Sequence, residues 1–211
     1  MDVHALSFRY GQRHSMEVES SRKIADHYGV RHKIIDVDLT QIGGSSLTDD
    51  IPVATRSVDE IADGIPTSYV PARNTIFLSL AAGFLETIGG EAVYIGVNAV
   101  DYSGYPDCRP EFISAMEKAL NLGTGDGKKK WMTIEAPLQY LSKSDIIKMG
   151  MGLNVPYEHT SSCYNGNERA CGRCDSCLLR LKGFMDAGYP DPISYEEYPE
   201  FYSEFLKNVK K

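Results

Sequence analysis

Four of the five cysteines in the 211-residue chain stand close together, as Cys163, Cys171, Cys174 and Cys177, in the run CYNGNERACGRCDSCLLR. The spacing C-x7-C-x2-C-x2-C constrains the fold more than any other feature. If the four share one ion, four chain positions are fixed to one small volume. A C-x2-C step lets one tight turn bring two sulfurs to the same ion, and Cys163 closes the shell from the turn-rich stretch YNGNERA. Zn2+ accepts four thiolates in a tetrahedron, and four sulfurs leave no open position, so the pattern predicts a structural site. Such a site contributes about 10–16 kcal/mol of binding energy to folding. Arg169, Arg173 and Arg180 are expected to offset the thiolate charge. An iron–sulfur cluster takes the same ligands, and free or disulfide-bonded cysteines are the remaining alternatives. The N-terminal run MDVHALSFRYGQRH lacks the basic-then-apolar order of an export signal. A reducing, cytoplasmic setting is therefore expected, where clustered cysteines bind metal more often than they form disulfides. Cys108 lies outside the cluster and reads as a free thiol.

The rest of the chain alternates between strand and helix patterns. VHALSF (3–8) and HKIIDVDL (32–39) are strand-like. Between them SMEVESSRKIADHYGV reads as a helix, with Met16, Ile24 and Tyr28 near helical spacing and Gly29 as its stop. Residues 40–68 form a long polar connection, of a length usually functional or mobile in a compact domain. A helix is predicted over 74–88, with Ile76, Phe77, Leu80, Phe84 and Leu85 on one side. AVYIG and WMTIEAPL are further strands. A helix over 110–120 carries Pro110 in its first turn, where a missing N–H does little harm. Ser142-x-x-Asp145 is a capping-box pattern ahead of another helix, and a helix over 174–187 ends at Gly188. This order predicts an α/β fold with an open parallel sheet. The chain is expected to be a single domain over 1–211: an α/β core over 1–155, a cysteine segment over 156–190, and an aromatic, charged tail over 191–211.

The net charge of −7 makes the chain a poor electrostatic partner for phosphate backbones, so no nucleic-acid partner is expected. The best apolar run, IFLSLAAGFLETIGG, is too short for a membrane span and carries Glu86.

Ligands in parallel sheets bind at the carboxyl ends of strands, so the loops there are the first candidates for chemistry. RYGQRH places Arg9, Tyr10, Gln12, Arg13 and His14 after the first strand, a set suited to a base and phosphates. The alternative is a solvated polar helix start. In YVPARNTIF, Arg73 and Asn74 open a helix whose N-terminus could receive an anion. Alternatively Asn74 is its N-cap and Arg73 is solvated. VNAVDYSGYPDCRPEF gathers Asn98, Asp101, Tyr102, Tyr105, Asp107, Arg109 and Glu111, far more hydrogen-bonding side chains than a turn needs. Carboxylates there suit an amidine-like N–H edge, as on guanine, and a tyrosine can stack on a flat ring. Lys143, at a helix start, is a phosphate candidate or a surface lysine.

Together FRYGQRH, YVPARNTIFLSLA, IGVNAVDYSGYPDCRPEF, LSKSDIIKMG and SCYNGNERACGRCDSCLLR closely resemble the 7-cyano-7-deazaguanine synthase family of queuosine biosynthesis, over about 3–192. The resemblance implies a Rossmann-like fold of the adenine-nucleotide α-hydrolase type, a bound zinc and a homodimer. It implies a cytoplasmic ligase that turns 7-carboxy-7-deazaguanine, ammonia and ATP, with Mg2+, into the nitrile. Carried over, Cys163, Cys171, Cys174 and Cys177 match the zinc ligands. Asn98 and the loop from Asp101 to Glu111 match the deazaguanine side, and Tyr10, Gln12, Arg13, Arg73 and Lys143 the ATP side. No catalytic residue is assigned.

The resemblance breaks at the N-terminus. Family members begin with a strand and a Ser-Gly-Gly-x-Asp-Ser phosphate loop, whereas this sequence starts in what matches the second strand. GGSSLTDD (43–50) follows the wrong strand to replace that loop. The first strand and helix are thus expected to be missing, leaving buried strand edges unpaired at about 1–3 kcal/mol per group. Poor ATP hydrolysis by this polypeptide alone is the expected result. Two other readings stay open: a zinc-stabilised deazapurine-binding remnant or part of a split enzyme, and an iron–sulfur tRNA-thiolation enzyme of the same superfamily.

Overall fold

The computed structural model describes residues 2–14, 16–57, 61, 64–99, 104–125, 127, 129–166 and 169–209. The chain forms two compact units, one of residues 1–63, 67–70 and 142–211, the other of residues 64–66 and 71–141. The expected internal boundaries after 155 and 190 both fall inside the first unit.

In the first unit, β1 (His4–Arg9) and β2 (Arg31–Asp36) pair in parallel, from His4 opposite Arg31 to Arg9 opposite Asp36. α1 (Met16–Tyr28) connects them. Gly29 takes a left-handed φ of 62° and ends α1, with its N–H bonded to the Asp26 carbonyl at 3.1 Å. The buried face of α1 is Val18 and Ala25, two turns apart, while Tyr28 is exposed. The Met16–Ile24–Tyr28 face is therefore not the one buried. Small and β-branched residues let the helix lie close, and the bulkier Tyr28 stays at the edge beside His27.

The connection after β2 is a packed turn over 39–50. Leu39, Ser45, Ser46, Leu47 and Thr48 are buried, and the Asp49 carboxylate accepts from the Gly44 N–H at 3.2 Å. The unit is completed by α4 (Lys143–Gly152), α5 (Asp175–Ala187) and α6 (Glu200–Val209), numbered in chain order over both units. Gly183 permits the close approach of α5 to α4, because a Cβ there would run into Lys143 and Ile147. Ile147, Leu181, Phe184, Tyr195, Tyr202 and the four clustered cysteines form one core.

In the second unit, β3 (Ala92–Tyr94) and β4 (Thr133–Glu135) also pair in parallel, accompanied by α2 (Arg73–Ile88) and α3 (Pro110–Gly123). Leu78, Ala82, Leu85, Ile113, Leu120, Met132 and Ile134 lie in its core. α2 buries Asn74, Leu78, Ala82 and Leu85. Of the five residues expected on that face, only Leu85 is fully buried. α2 is apolar nearly all round, so spacing alone could not select the face. Asn121 ties α3 to β4: its Oδ1 accepts from the Trp131 and Met132 N–H groups at 2.8 and 3.2 Å. Both sheets are parallel, as the α/β reading predicts, but the described residues form two two-stranded sheets, β1–β2 and β3–β4, rather than the one open sheet expected. No helix among the described residues is long and apolar enough to cross a membrane.

Candidate metal centre and ligand-binding loops

The sulfurs of Cys163, Cys171, Cys174 and Cys177 all lie within 4.8 Å of one another, and all four residues are buried. A tetrahedral ion with Zn–S bonds of about 2.3 Å would hold its sulfurs about 3.8 Å apart. The Cys171–Cys177 sulfur separation is already 3.9 Å. None of the five cysteines is disulfide-bonded. An iron–sulfur cube places its own iron and sulfide atoms between the thiolates and needs them farther apart, so the spacing suits a single ion. The residues present therefore fit a metal of the zinc type.

Local structure delivers each sulfur. Cys174 directly precedes α5 and Cys177 is in its first turn, where the positive end of the helix favours thiolates. The Cys163 sulfur accepts from the Cys171 N–H at 3.3 Å, and the Cys171 sulfur from the Cys174 N–H at 3.4 Å. Gly172, at φ +76°, has the Glu197 carbonyl where any side chain would begin. Without a cation the thiols share protons unevenly. Hydrogen bonds from Cys174 and Cys177 hold Cys163 far below the usual thiol range. The bond to Cys163 pushes Cys174 up to about 12, and Cys177 is pushed up as well. A bound cation would remove that competition, since metal ligation takes all four as thiolates.

The tail closes over this loop. The Ala170 N–H donates to the Ser194 carbonyl at 3.1 Å, and the Glu196 N–H to the Ala170 carbonyl at 2.8 Å. Asp191, fully buried, accepts from Arg180 at 2.6 and 2.9 Å and from the Tyr195 hydroxyl at 2.7 Å. Burial, then the Asp191 charge, pushes the Tyr195 hydroxyl far up, so it remains a donor. The three expected counter-cations are engaged elsewhere. Arg180 serves Asp191 and Thr160, Arg169 donates to the Tyr195 carbonyl, and Arg173 faces Glu196 and Glu197. The cation at the start of α5 is instead Arg56, paired with Asp175. The two are 119 residues apart, and no local pattern marks Arg56.

In the first unit, Tyr10 is buried and its N–H donates to Gln12 Oε1 at 2.7 Å, so Gln12 folds back on its own loop. Arg13 donates to the Asp49 and Ile51 carbonyls at 2.9 and 2.7 Å. Lys143 is the first residue of α4, its stem against Gly183.

In the second unit, the Asn74 N–H donates to the Asp107 carboxylate at 3.2 Å, and the Asn74 side chain to the Asp107 carbonyl at 3.0 Å. Asp107 therefore fills one of the N–H positions expected for an anion, and Asn74 is not the N-cap; Ala72 is, at φ 57°. Arg73 begins this helix. Asn98 donates to the Leu138 and Leu141 carbonyls at 3.1 and 2.5 Å. Tyr105 is half-buried, while Arg109 and Glu111 are exposed. Burial, then the Asp107 charge, pushes the Cys108 thiol up to about 11, which makes it a poor nucleophile at neutral pH. Asp101 and Tyr102 lie outside the described residues.

The family profile described as Queuosine biosynthesis protein QueC matches residues 1–188. The chain is 61% identical over 210 residues to the 7-cyano-7-deazaguanine synthase of Thermoplasma acidophilum, covering 100% of this chain and 88% of that protein. It is 59% identical over 209 residues to the synthase of Thermoplasma volcanium, covering 99% and 87%. With that of Oceanobacillus iheyensis it shares 54% identity over 196 residues, covering 92% and 87%. The chain belongs to the QueC family. The family match ends at 188, yet Asp191, Tyr195 and Tyr202 beyond it pack into the cysteine core. Of the expected site residues, the structure brings together the four cysteines in the first unit. Within the second it links Asp107 to Asn74 and joins Asn98 to the chain at 138–141.

Proposed function

We propose that this chain is an ATP-dependent carbon–nitrogen ligase converting 7-carboxy-7-deazaguanine and ammonia to 7-cyano-7-deazaguanine. The observation that carries the reading is 61% identity over all of this chain to a protein named 7-cyano-7-deazaguanine synthase. The chemistry sets what the site must do. A carboxylate is a poor electrophile, so its oxygen is first adenylated, with release of pyrophosphate. Ammonia then displaces AMP and leaves the amide. A second activation of the amide oxygen lets it depart, and loss of the nitrogen-bound protons gives the nitrile. Tyr10, Gln12, Arg13, Arg73 and Lys143 serve the ATP side with Mg2+. Asn98, Asp101, Tyr102, Tyr105, Asp107, Arg109 and Glu111 serve the deazapurine.

In this reading the four thiolates hold structural Zn2+, which supplies no step and fixes the first turn of α5. The fold is of the adenine-nucleotide α-hydrolase type, and the protein works as a cytoplasmic homodimer on small molecules, without a nucleic-acid partner. The test is to incubate the purified, zinc-analysed chain with 7-carboxy-7-deazaguanine, Mg-ATP and ammonium, and to follow product mass and AMP. Nitrile formation with AMP release is expected, at a slow rate from this polypeptide alone. A folded, zinc-loaded chain that binds the deazapurine but releases neither AMP nor nitrile would overturn the ligase reading. A brown protein carrying iron and sulfide would overturn the zinc assignment.

A further inference from the structure

We infer that Arg56 is a positioning residue: its ion pair with Asp175 fastens the segment 49–57 to the metal-bearing helix and thereby sets the loop that follows β1. Asp175 is the first residue of α5, between Cys174 and Cys177. One of its oxygens accepts from the Arg56 Nε at 3.1 Å and from a terminal nitrogen of the same guanidinium. The other oxygen is buried without a protein partner among the described residues. A buried carboxylate beside four thiolates needs a cation, and Arg169, Arg173 and Arg180 have carboxylates or carbonyls of their own. Arg56 meets that need from a segment far away in sequence.

The same segment runs on to the β1 loop. Val53 packs against the cysteine core. Arg13 holds the Asp49 and Ile51 carbonyls, so the arginine after β1 is anchored to the chain that Arg56 anchors to α5. His14 also reaches the metal loop, lying where a side chain on Gly166 (φ +57°) would stand. Two routes therefore join the metal loop and helix to residues 10–14, and Arg56 is the charged link in one of them. That residues 10–14 meet ATP rests on the proposed function; the mechanical link does not.

The test compares zinc-loaded wild type with Arg56→Met, Arg56→Lys and Asp175→Asn. Zinc loss to a chromogenic chelator and hydrogen exchange of peptides covering 10–14 and 49–57 are measured. Arg56→Met should lose zinc roughly tenfold faster, as expected for an outer partner of a metal site, and exchange faster in both peptides. Arg56→Lys, which keeps the charge without the planar fork, should restore part of the wild-type behaviour. If Arg56→Met is not recovered folded, Asp175→Asn, which keeps the shape and removes the charge, should give the same pair of changes. Wild-type zinc loss and exchange in these variants would overturn the proposal. Neither readout involves ATP or deazapurine, so they decide it even if wild type makes no nitrile. Where wild type does, Arg56→Met should raise KM for ATP with little change in kcat; faster exchange at 10–14 with an unchanged KM would overturn the positioning role.

Discussion

The two units hold themselves together by different means. The first is organised around long-range polar contacts that converge on four cysteines: Arg56 to Asp175, Arg180 to Asp191, and residues 194–196 alongside Ala170. The second relies on apolar packing around Leu78, Ala82 and Ile134, with polar bridges such as Asn121 to the nearby strand. Four thiolates and a buried ion pair are expensive to bury unless every charge is answered. An apolar core loses stability gradually as side chains shrink. Damage to the first unit should therefore be abrupt, and damage to the second graded.

The largest effect is expected from Cys177→Ser. It removes one ligand from a site whose metal-binding energy is about 10–16 kcal/mol. Zinc content should fall below one per chain, and the part of the unfolding transition due to the first unit should collapse to low temperature. A variant that retains zinc and the wild-type transition would show that the cysteine core stands without its ion. Next comes Asp191→Ala, which leaves Arg180 buried without its carboxylate, a change that usually costs about 3–5 kcal/mol. Urea unfolding should show that loss, together with faster zinc release because the tail no longer closes over Ala170. Gly183→Ala follows, at about 1–3 kcal/mol from overpacking α5 against α4, read in the same experiment. Unchanged stability there would mean that Lys143 swings away freely.

How much of this was legible follows the same division. The cysteine spacing is a short-range pattern, and it located the buried four-sulfur cluster and the start of α5. Helix stops at Gly29 and Gly188 were equally local, as was the Ser142 cap. Arg56 could not be found this way, because its partner is remote and nothing around it is periodic. The arginines near the cysteines suggested themselves as counter-charges by proximity in sequence, yet they point to the tail. Nor could spacing choose the buried face of α2, whose apolar residues run round the helix. In the second unit, Asn74 resembled an N-cap, but the actual acceptor at that helix start is Asp107, from a loop beyond β3. The stretch from Asn98 to Glu111 stands out by its excess of hydrogen-bonding side chains, but only the family motif suggests a deazapurine there, since those side chains follow no structural period.

Two helix starts put this contrast to its finest test. α4 is capped by its own neighbour: Ser142 accepts from the Asp145 N–H at 3.1 Å and donates to the Asp145 carboxylate at 2.6 Å. α2 receives its carboxylate from Asp107, 33 residues away from Asn74. Ser142→Ala and Asp107→Ala should each cost about 0.5–2 kcal/mol, with Asp107→Ala at the upper end because it also leaves a buried N–H unanswered. The pH dependence of the Ser142 variant should identify the local cap. The bond from the Ser142 hydroxyl holds the Asp145 carboxyl below the usual range. Its contribution is thus fully present above the ordinary aspartate value and is lost as pH falls through the lowered one. Ser142→Ala should remove that acid-side loss, so the stability gap between wild type and variant narrows at low pH to what the Asp145 N–H bond to Ser142 contributes. Parallel stability curves down to the most acid pH at which both fold would show that the bond from the Ser142 hydroxyl to the Asp145 carboxylate contributes nothing to α4.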